Sequence, residues 1–592
     1  MKKFAFGAGA LGACLALGLA FGAPGPPFKV VFESRHAEFR WSLRDLDAAL
    51  PADWSDFKAL VLELRASSPQ RFSLWIHTAA GPRRLMVQPF GQNAWLRAAV
   101  PLRFFEGKDA TGTDLASANN RRTDAYWLQL WGPFGELRDV RSVGVSMDYP
   151  LNKPALEIRS VSLSREDVPS AFLEERPVVD GFGQWALADW PRKIHDRGEL
   201  DEALAGEERA LESGAPPAAA SRFGGFAGPV SRASGFFRVE RIDGRWWLVD
   251  PDGCLFLSTG ANGIRGAEAG PAADLIHRRM SAWGLNTVGN WSTLKPASDG
   301  RRKAYVATFR APRVEPSYLG MPDVYSESYA PALERAAAAQ CAPLMDDPWL
   351  IGYFLGNEPP WPGRESEVAD LFLKGPDSAT GRRLRELLGQ GDTPRRREEF
   401  VRGMFARYLA LMSDAIRKAD PHHLNLGIRF GGIPADEILA LGRSFDVFSL
   451  NVYEYEPTRQ MRKVAEATGR PLLIGEFHFG VPADGLGAGL VQTADQSERA
   501  KGYRYYVEQA AALPAFVGAH WFEWADEPVL GRMDGENYNI GFVDVTNRPY
   551  RQLANAAALT YGRLRDVHAG RRAPFADRPR ASAHGTPASP WE

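Results

Sequence analysis

Two hydrophobic rhythms divide the chain. Over residues 28–165, apolar and polar positions alternate in short runs. These include Leu60-Val61-Leu62-Glu63-Leu64, Phe72-Ser73-Leu74-Trp75-Ile76, Tyr126-Trp127-Leu128-Gln129-Leu130-Trp131 and Val143-Gly144-Val145-Ser146-Met147. Successive side chains of a strand point to opposite faces, so a period of two predicts half-buried strands. Turn residues between the runs predict an antiparallel sandwich, jelly-roll-like in character. Residues 166–240 read as a connector. Their stretch from Glu207 to Gly235 is rich in Ala, Ser, Gly and Pro and predicts a surface segment, whereas Trp185 and Trp190 suit docking onto a neighbour.

From about residue 241 the rhythm changes to short buried strands alternating with amphipathic helices. Strand ends are predicted near Thr259, Asn290, Phe309, Asn357, Arg429, Asn451, Glu476 and Trp521. Helices are predicted over 271–283, 328–341, 398–419 and 497–513. Eight strand–helix units over 241–567 predict a (β/α)8 TIM barrel of the α/β class, preceded by the sandwich. A charged insertion at about 359–397 follows the fourth strand. The Arg/Ala/Pro/Ser-rich tail 568–592 predicts disorder.

The chain begins Met1-Lys2-Lys3 and is then apolar to Ala23, ahead of a Pro-rich break. This predicts a signal peptide over 1–23 and export to the periplasm or beyond. Leu11-Gly12-Ala13-Cys14 also resembles a lipoprotein box, and an anchor at Cys14 is the alternative. No later window predicts a membrane span. Beyond the leader only Cys254 and Cys341 remain, and they read as buried thiols in separate elements, with one disulfide as the alternative.

Composition narrows the ligand. Of 592 residues, 71 are Lys or Arg and 72 are Asp or Glu, a net charge of −1, which excludes a general nucleic-acid binder. A neutral ligand fits better. The 17 Trp residues offer flat apolar faces of the kind that stack on sugar rings, although most read as core. No His/Cys cluster has zinc-ligand spacing, and no Gly-rich run has phosphate-loop context, so no metal or cofactor is expected.

In such barrels functional residues occupy the C-terminal strand ends. Glu358 ends the apolar run Ile351-Gly352-Tyr353-Phe354-Leu355-Gly356-Asn357-Glu358-Pro359. Glu476 ends Pro471-Leu472-Leu473-Ile474-Gly475-Glu476. They fall on strands four and seven. Two rim carboxylates match glycosidic cleavage, in which one acid protonates the leaving oxygen while the other attacks carbon or activates water. The alternative is a pair of structural charges. Asn357 reads as a contact for a sugar hydroxyl, or as backbone support.

Asn357-Glu358 followed by Glu476 resembles clan A of the glycoside hydrolases. The wider pattern resembles glycoside hydrolase family 50, the β-agarases, over about 180–565. It is carried by Trp247-Leu248-Val249-Asp250-Pro251-Asp252-Gly253, Leu257-Ser258-Thr259-Gly260, Gly356-Asn357-Glu358-Pro359, Gly475-Glu476-Phe477-His478-Phe479-Gly480, His520-Trp521-Phe522-Glu523-Trp524 and Glu536-Asn537-Tyr538-Asn539-Ile540-Gly541-Phe542-Val543-Asp544. The resemblance implies Glu358 as general acid/base, Glu476 as nucleophile, and retaining hydrolysis of β-1,4-galactosidic links in agarose or neoagaro-oligosaccharides. It also implies a carbohydrate-binding-like role for the sandwich. The charged insertion and the Ala/Gly/Pro-rich connector depart from it. Other β-galactosides, β-mannans or β-glucans stay open as substrates, as does a silent carbohydrate-binding protein.

Further rim residues are candidate sugar contacts. Of Trp521 and Trp524, which flank Glu523, Trp521 is the expected platform beneath the sugar and the other is core. Glu523 shares its side and suits a hydroxyl or an Arg. Tyr453 suits a hydrogen bond to the nucleophile or a structural role. His478, Asn290, Trp291 and Arg429 are rim candidates, and Asn537, Tyr538 and Asn539 form a polar loop suited to further subsites.

Overall fold

The computed structural model describes residues 27–108, 119–213, 220–266 and 270–581. The leader and Cys14 lie outside them. The period-two runs form two antiparallel sheets. Five strands pair in the order Phe28–Val31, Ala155–Ser164, Ala59–Ala66, Trp95–Pro101 and Ala171–Phe172. Six pair in the order His36–Ser42, Val140–Asp148, Phe72–Thr78, Gly81–Pro89, Tyr126–Gln129 and Asn120–Arg122. Their inward positions, among them Leu60, Leu62, Leu74, Ile76, Leu85, Leu128 and Val145, form one buried cluster. That is the packing expected of a sandwich.

The second half builds a parallel ring. Its strands are β1 (Ser258–Ala261), β2 (Thr287–Val288), β3 (Ala304–Thr308), β4 (Leu350–Phe354), β5 (Leu424–Asn425), β6 (Phe448–Asn451), β7 (Leu472–Phe477) and β8 (Phe516–Trp521). They lie in the order β5-β4-β3-β2-β1-β8-β7-β6. A parallel bridge from Phe430 to Leu450 joins the extension of β5 to β6 and closes the ring. Helices Gly270–Ala282, Tyr329–Gln340, Pro394–Ala419 and Gln496–Ala511 match the predicted helical stretches. The fold is thus the sandwich plus (β/α)8 barrel that the two rhythms predict.

One end of the barrel is filled. Ala304, Ile351, Leu473 and Val517, all at or near strand starts, cluster with Phe223, Phe237, Leu248 and Phe256 of the preceding segment. This apolar plug leaves the C-terminal end as the open one. The sandwich docks at that end: Phe90 and Trp127 pack with Phe522, Tyr538 and Ile540 of the segment after β8.

Two stretches differ from the composition-based reading. The connector holds a helix, Arg197–Ser213, whose Glu207 accepts from the fully buried Arg279 at 2.7 and 2.6 Å. Tail residues 569–581 lie against the barrel rather than in disorder. Phe575 N–H donates to Glu508 at 2.9 Å, Arg580 N–H donates to Glu498 at 2.8 Å, and Ala581 is buried. The helix Gln496–Ala511 supplies both carboxylates, so the basic tail finds acidic partners that its composition does not reveal. Residues 582–592 lie outside the described residues. Cys254 and Cys341 are free and buried. No helix among the described residues is long and apolar enough to cross a membrane.

Candidate active site

The open rim gathers both carboxylates. β4 stops at Phe354, and Glu358 follows on the loop, where its backbone N–H donates to the Arg429 carbonyl at 2.9 Å. Three rim residues, Glu358, Arg429 and Trp291, hold left-handed backbone at φ of 42°, 47° and 62°. Such φ values cost non-glycine residues on the order of 1 kcal/mol each and tend to gather at functional sites. They turn the chain sharply off the strand ends.

Glu476 lies within β7 and is 5% exposed. Three donors converge on its carboxylate: Arg429 Nη2 at 2.7 Å and Trp291 Nε1 at 3.0 Å on Oε1, and the Tyr453 hydroxyl at 2.7 Å on Oε2. This arrangement is complementary to an anion. Gly475 makes room for it. A Cβ there would stand 2.6 Å from Arg429 Nε and 2.9 Å from Asn451 Oδ1.

Glu358 has different surroundings. Asn451 Nδ2 donates to its Oε1 at 2.8 Å and to Asn357 Oδ1 at 3.2 Å. Burial pushes the Glu358 carboxyl up to about 7, and the nearby Glu476 charge adds to the rise, against the opposing Asn451 hydrogen bond and Arg429 charge. One carboxyl therefore favours its proton near neutral pH, and the other sits in a nest of donors. Divergent environments of this kind separate an acid from a nucleophile.

The remaining candidates divide. Tyr453 reaches Glu476, and burial raises its own phenol well above the ordinary value. Asn290 accepts from Thr308 at 2.8 Å, while its buried Nδ2 has no partner among the described residues. Trp291 presents an indole that is 37% exposed beside Glu476. Trp521 does not: it is 0% exposed, donates to the Ile540 carbonyl at 2.7 Å, and packs edge-on against Phe477. Trp524 is also buried, stacked on Trp283. Both tryptophans are thus core, and the rim tryptophan open to a ligand is Trp291. β8 ends at Trp521, so strand alternation does not carry through to Glu523.

His478 is likewise internal. Its Nδ1 donates to the Phe522 carbonyl at 3.0 Å and its Nε2 accepts from Leu490 N–H at 2.9 Å, which fixes a neutral ring. Burial lowers its pKa to about 3. The ring braces Tyr453 at a centroid distance of 4.7 Å. Asn537 is fully buried and accepts from Gln88 of the sandwich at 2.5 Å. Tyr538 accepts from Arg71 of the sandwich at 3.0 Å, and Asn539 donates to Asp526 at 2.9 Å. This loop docks the sandwich and braces the rim instead of presenting polar groups to a ligand. Two residues outside the predicted set matter here. Asn451 was legible as a strand end, whereas Arg532, which pairs with several carboxylates after β8, carries no local signal.

No protein-family profile matches the chain. β-Agarase B of Vibrio sp. (strain JT0107) is 25% identical over 662 aligned positions, covering 86% of this chain and 69% of that protein. β-Agarase A of the same strain is 27% identical over 521 positions, covering 66% of this chain and 52% of that protein. The chain therefore spans about two thirds and about half of these relatives. Among solved structures, the agarase AgWH50C superposes with a TM-score of 0.63 at 24% identity, covering 92% of this chain and 94% of that one. An exo-β-agarase gives 0.64 at 22% identity, covering 91% and 94%. The relatives and the shared fold define a glycoside hydrolase. Over most of its length the chain is similar to proteins named as β-agarases.

Proposed function

We propose that the chain hydrolyses β-1,4-galactosidic linkages of agarose or neoagaro-oligosaccharides by a retaining, two-glutamate mechanism. The observation that carries the mechanism is the contrast between the two carboxyls. Glu358, favouring its proton, delivers it to the glycosidic oxygen as the C–O bond breaks. Glu476, held by Arg429, Trp291 and Tyr453, attacks the anomeric carbon and forms a glycosyl ester. Glu358, now ionised, takes a proton from water. That water attacks the same carbon, releases Glu476, and leaves the anomeric configuration retained.

The substrate rests on the relatives, which are named as β-agarases. A net charge of −1 accords with a neutral polymer. Export through the 1–23 leader, or an anchor at Cys14, fits a substrate too large to enter a cell. Residues 241–567 form the proposed catalytic unit, and residues 28–165 the sandwich that serves it.

The test is incubation of the full chain with agarose and a panel of β-galactan, β-mannan and β-glucan, followed by identification of the sugars released. Neoagaro-oligosaccharides from agarose alone are the expected products. Products only from another polymer reassign the substrate, and no product from any of them overturns the reading.

A further inference from the structure

The barrel interior is polar where bulky branched side chains are usual. Inward positions of β1 and β7 carry Gly260 and Gly475, and Gly289 follows β2. Polar side chains take the room these glycines leave. A Cβ on Gly260 would stand 2.6 Å from the His520 ring, and one on Gly289 would stand 2.6 Å from Asn262 Oδ1. Both His520 and Asn262 are fully buried, and the reaction proposed above gives neither a role.

A chain of hydrogen bonds fixes the proton on the His520 ring. Asn286 Nδ2 donates to the Gly224 and Leu257 carbonyls, so its Oδ1 accepts from the Thr287 hydroxyl at 2.9 Å. Thr287 then accepts from the Ser258 hydroxyl at 2.7 Å, and Ser258 accepts from His520 Nε2 at 2.8 Å. This tautomer leaves Nδ1 as a bare acceptor. Burial, with the Arg429 charge second, lowers the His520 pKa to about 3, so the ring is neutral. Nδ1 is buried and has no partner among the described residues.

Arg429 has the complementary surplus. Its Nη2 serves Glu476 and the Gly475 carbonyl, whereas its buried Nε and Nη1 have no partner among the described residues. Asn262 Nδ2 donates to the same Gly475 carbonyl at 2.9 Å, and Asn451 Oδ1 shares with Arg429 Nε the space beside Gly475. Asn262 Oδ1 and Asn451 Oδ1 are, like His520 Nδ1, buried acceptors without a partner among the described residues. Unspent acceptors thus gather around the unspent N–H groups of one guanidinium. Such groups are costly when buried, and bound water bridges them. The acceptors are all uncharged. They orient the guanidinium without competing, as a second carboxylate would, for its charge.

We propose that His520 is a positioning residue, whose bare Nδ1 aims the Arg429 guanidinium at Glu476 through buried water. Ser258, Thr287 and Asn286 hold the ring in the required tautomer. This inference rests on the two-glutamate reading above.

The experiment compares kcat and KM on neoagarohexaose for His520→Asn and His520→Gln, with cooperative melting as the check on folding and Glu476→Ala as a parallel control. The amide of His520→Asn takes the place of Nδ1, and that of His520→Gln the place of Nε2. A role confined to holding Ser258 favours His520→Gln, whereas a role through Arg429 favours His520→Asn. The expected kcat is within about threefold of the wild type for His520→Asn and at least about tenfold lower for His520→Gln, with KM little changed in both. Folded variants with kcat values within threefold of each other, a higher kcat in His520→Gln, or a loss carried by KM overturns the proposal. If either variant does not fold, Ser258→Ala decides, since it removes only the hydroxyl that orients the ring. A kcat at least about threefold lower with intact melting is then expected, and an unchanged kcat overturns the proposal. An active Glu476→Ala, or a wild-type chain inert on neoagarohexaose, overturns the underlying reading instead.

Discussion

Arg429 binds both catalytic candidates at once. Its guanidinium donates to Glu476 Oε1 at 2.7 Å, and its backbone carbonyl accepts the Glu358 N–H at 2.9 Å. The side chain is fully buried, with phenylalanine Phe354 4.9 Å from its charge centre. One residue after β5 thus ties the loop after β4 to β7. Removing the cation leaves the Glu476 carboxylate buried without its counter-ion, at a cost of about 3–5 kcal/mol. Arg429→Met is expected to lower kcat on agarose by about 100-fold or more and to lower the melting temperature. Arg429→Lys is expected to recover little, because both bonds, to Glu476 and to the Gly475 carbonyl at 2.8 Å, leave from Nη2 at the far end of the Arg side chain, which the shorter lysine does not reach. Steady-state kinetics and thermal melts of both variants check this.

The raised proton affinity of Glu358 links activity and stability to pH. Its ordinary value is 4.5 and its folded value about 7, with burial the main cause and Glu476 the second. In its proposed role as acid, Glu358 must hold its proton, so kcat/KM is expected to fall by about tenfold per pH unit above about 7. Between the two values the folded protein keeps a proton that the unfolded chain has lost. Stability therefore declines as pH rises through that window and levels off beyond it. Glu358→Gln abolishes the decline. Above pH 7 the variant is expected to be more stable than the wild type by on the order of 1–3 kcal/mol, with the difference vanishing near pH 4. Denaturant melts at pH 4, 6 and 8 measure it.

Trp521 distinguishes a core from a platform. Its burial and its bond to Ile540 predict that Trp521→Ala destabilises the barrel by about 3–5 kcal/mol. Trp291→Ala, at an exposed indole that touches Glu476, is expected to leave the melting temperature nearly unchanged and to raise KM or lower kcat by about tenfold or more. Parallel melts and kinetics of the two variants decide between these roles; a stable Trp521→Ala with impaired binding contradicts this placement.

The parts of the fold that were legible are those governed by local periodicity. Alternation at Leu60–Leu64 and Phe72–Ile76 specifies which faces are buried, and apolar runs ending in Asn-Glu or Gly-Glu mark strand ends of a barrel. What was not legible depends on contacts between distant segments. Asn537 reads as a free polar loop residue until Gln88, 449 positions away, is seen to cover it. His478 reads as a rim group until Phe522 and Leu490 claim both its nitrogens. Trp521 reads as a platform until the Ile540 carbonyl and the Phe477 ring, from other segments, are seen to enclose it. Residues 569–581 read as disordered from composition alone, because Arg578 and Arg580 meet their carboxylates, Glu456 and Glu498, only across the fold.

The central claim is that Glu476 forms a covalent bond to the sugar. The most direct measurement is turnover by Glu476→Ala on an agaro-oligosaccharide with an activated leaving group, with and without azide. No turnover is expected without azide and, with it, a glycosyl azide of inverted configuration, because the small anion fills the space of the lost carboxylate. Near-normal hydrolysis by Glu476→Ala without azide contradicts the account.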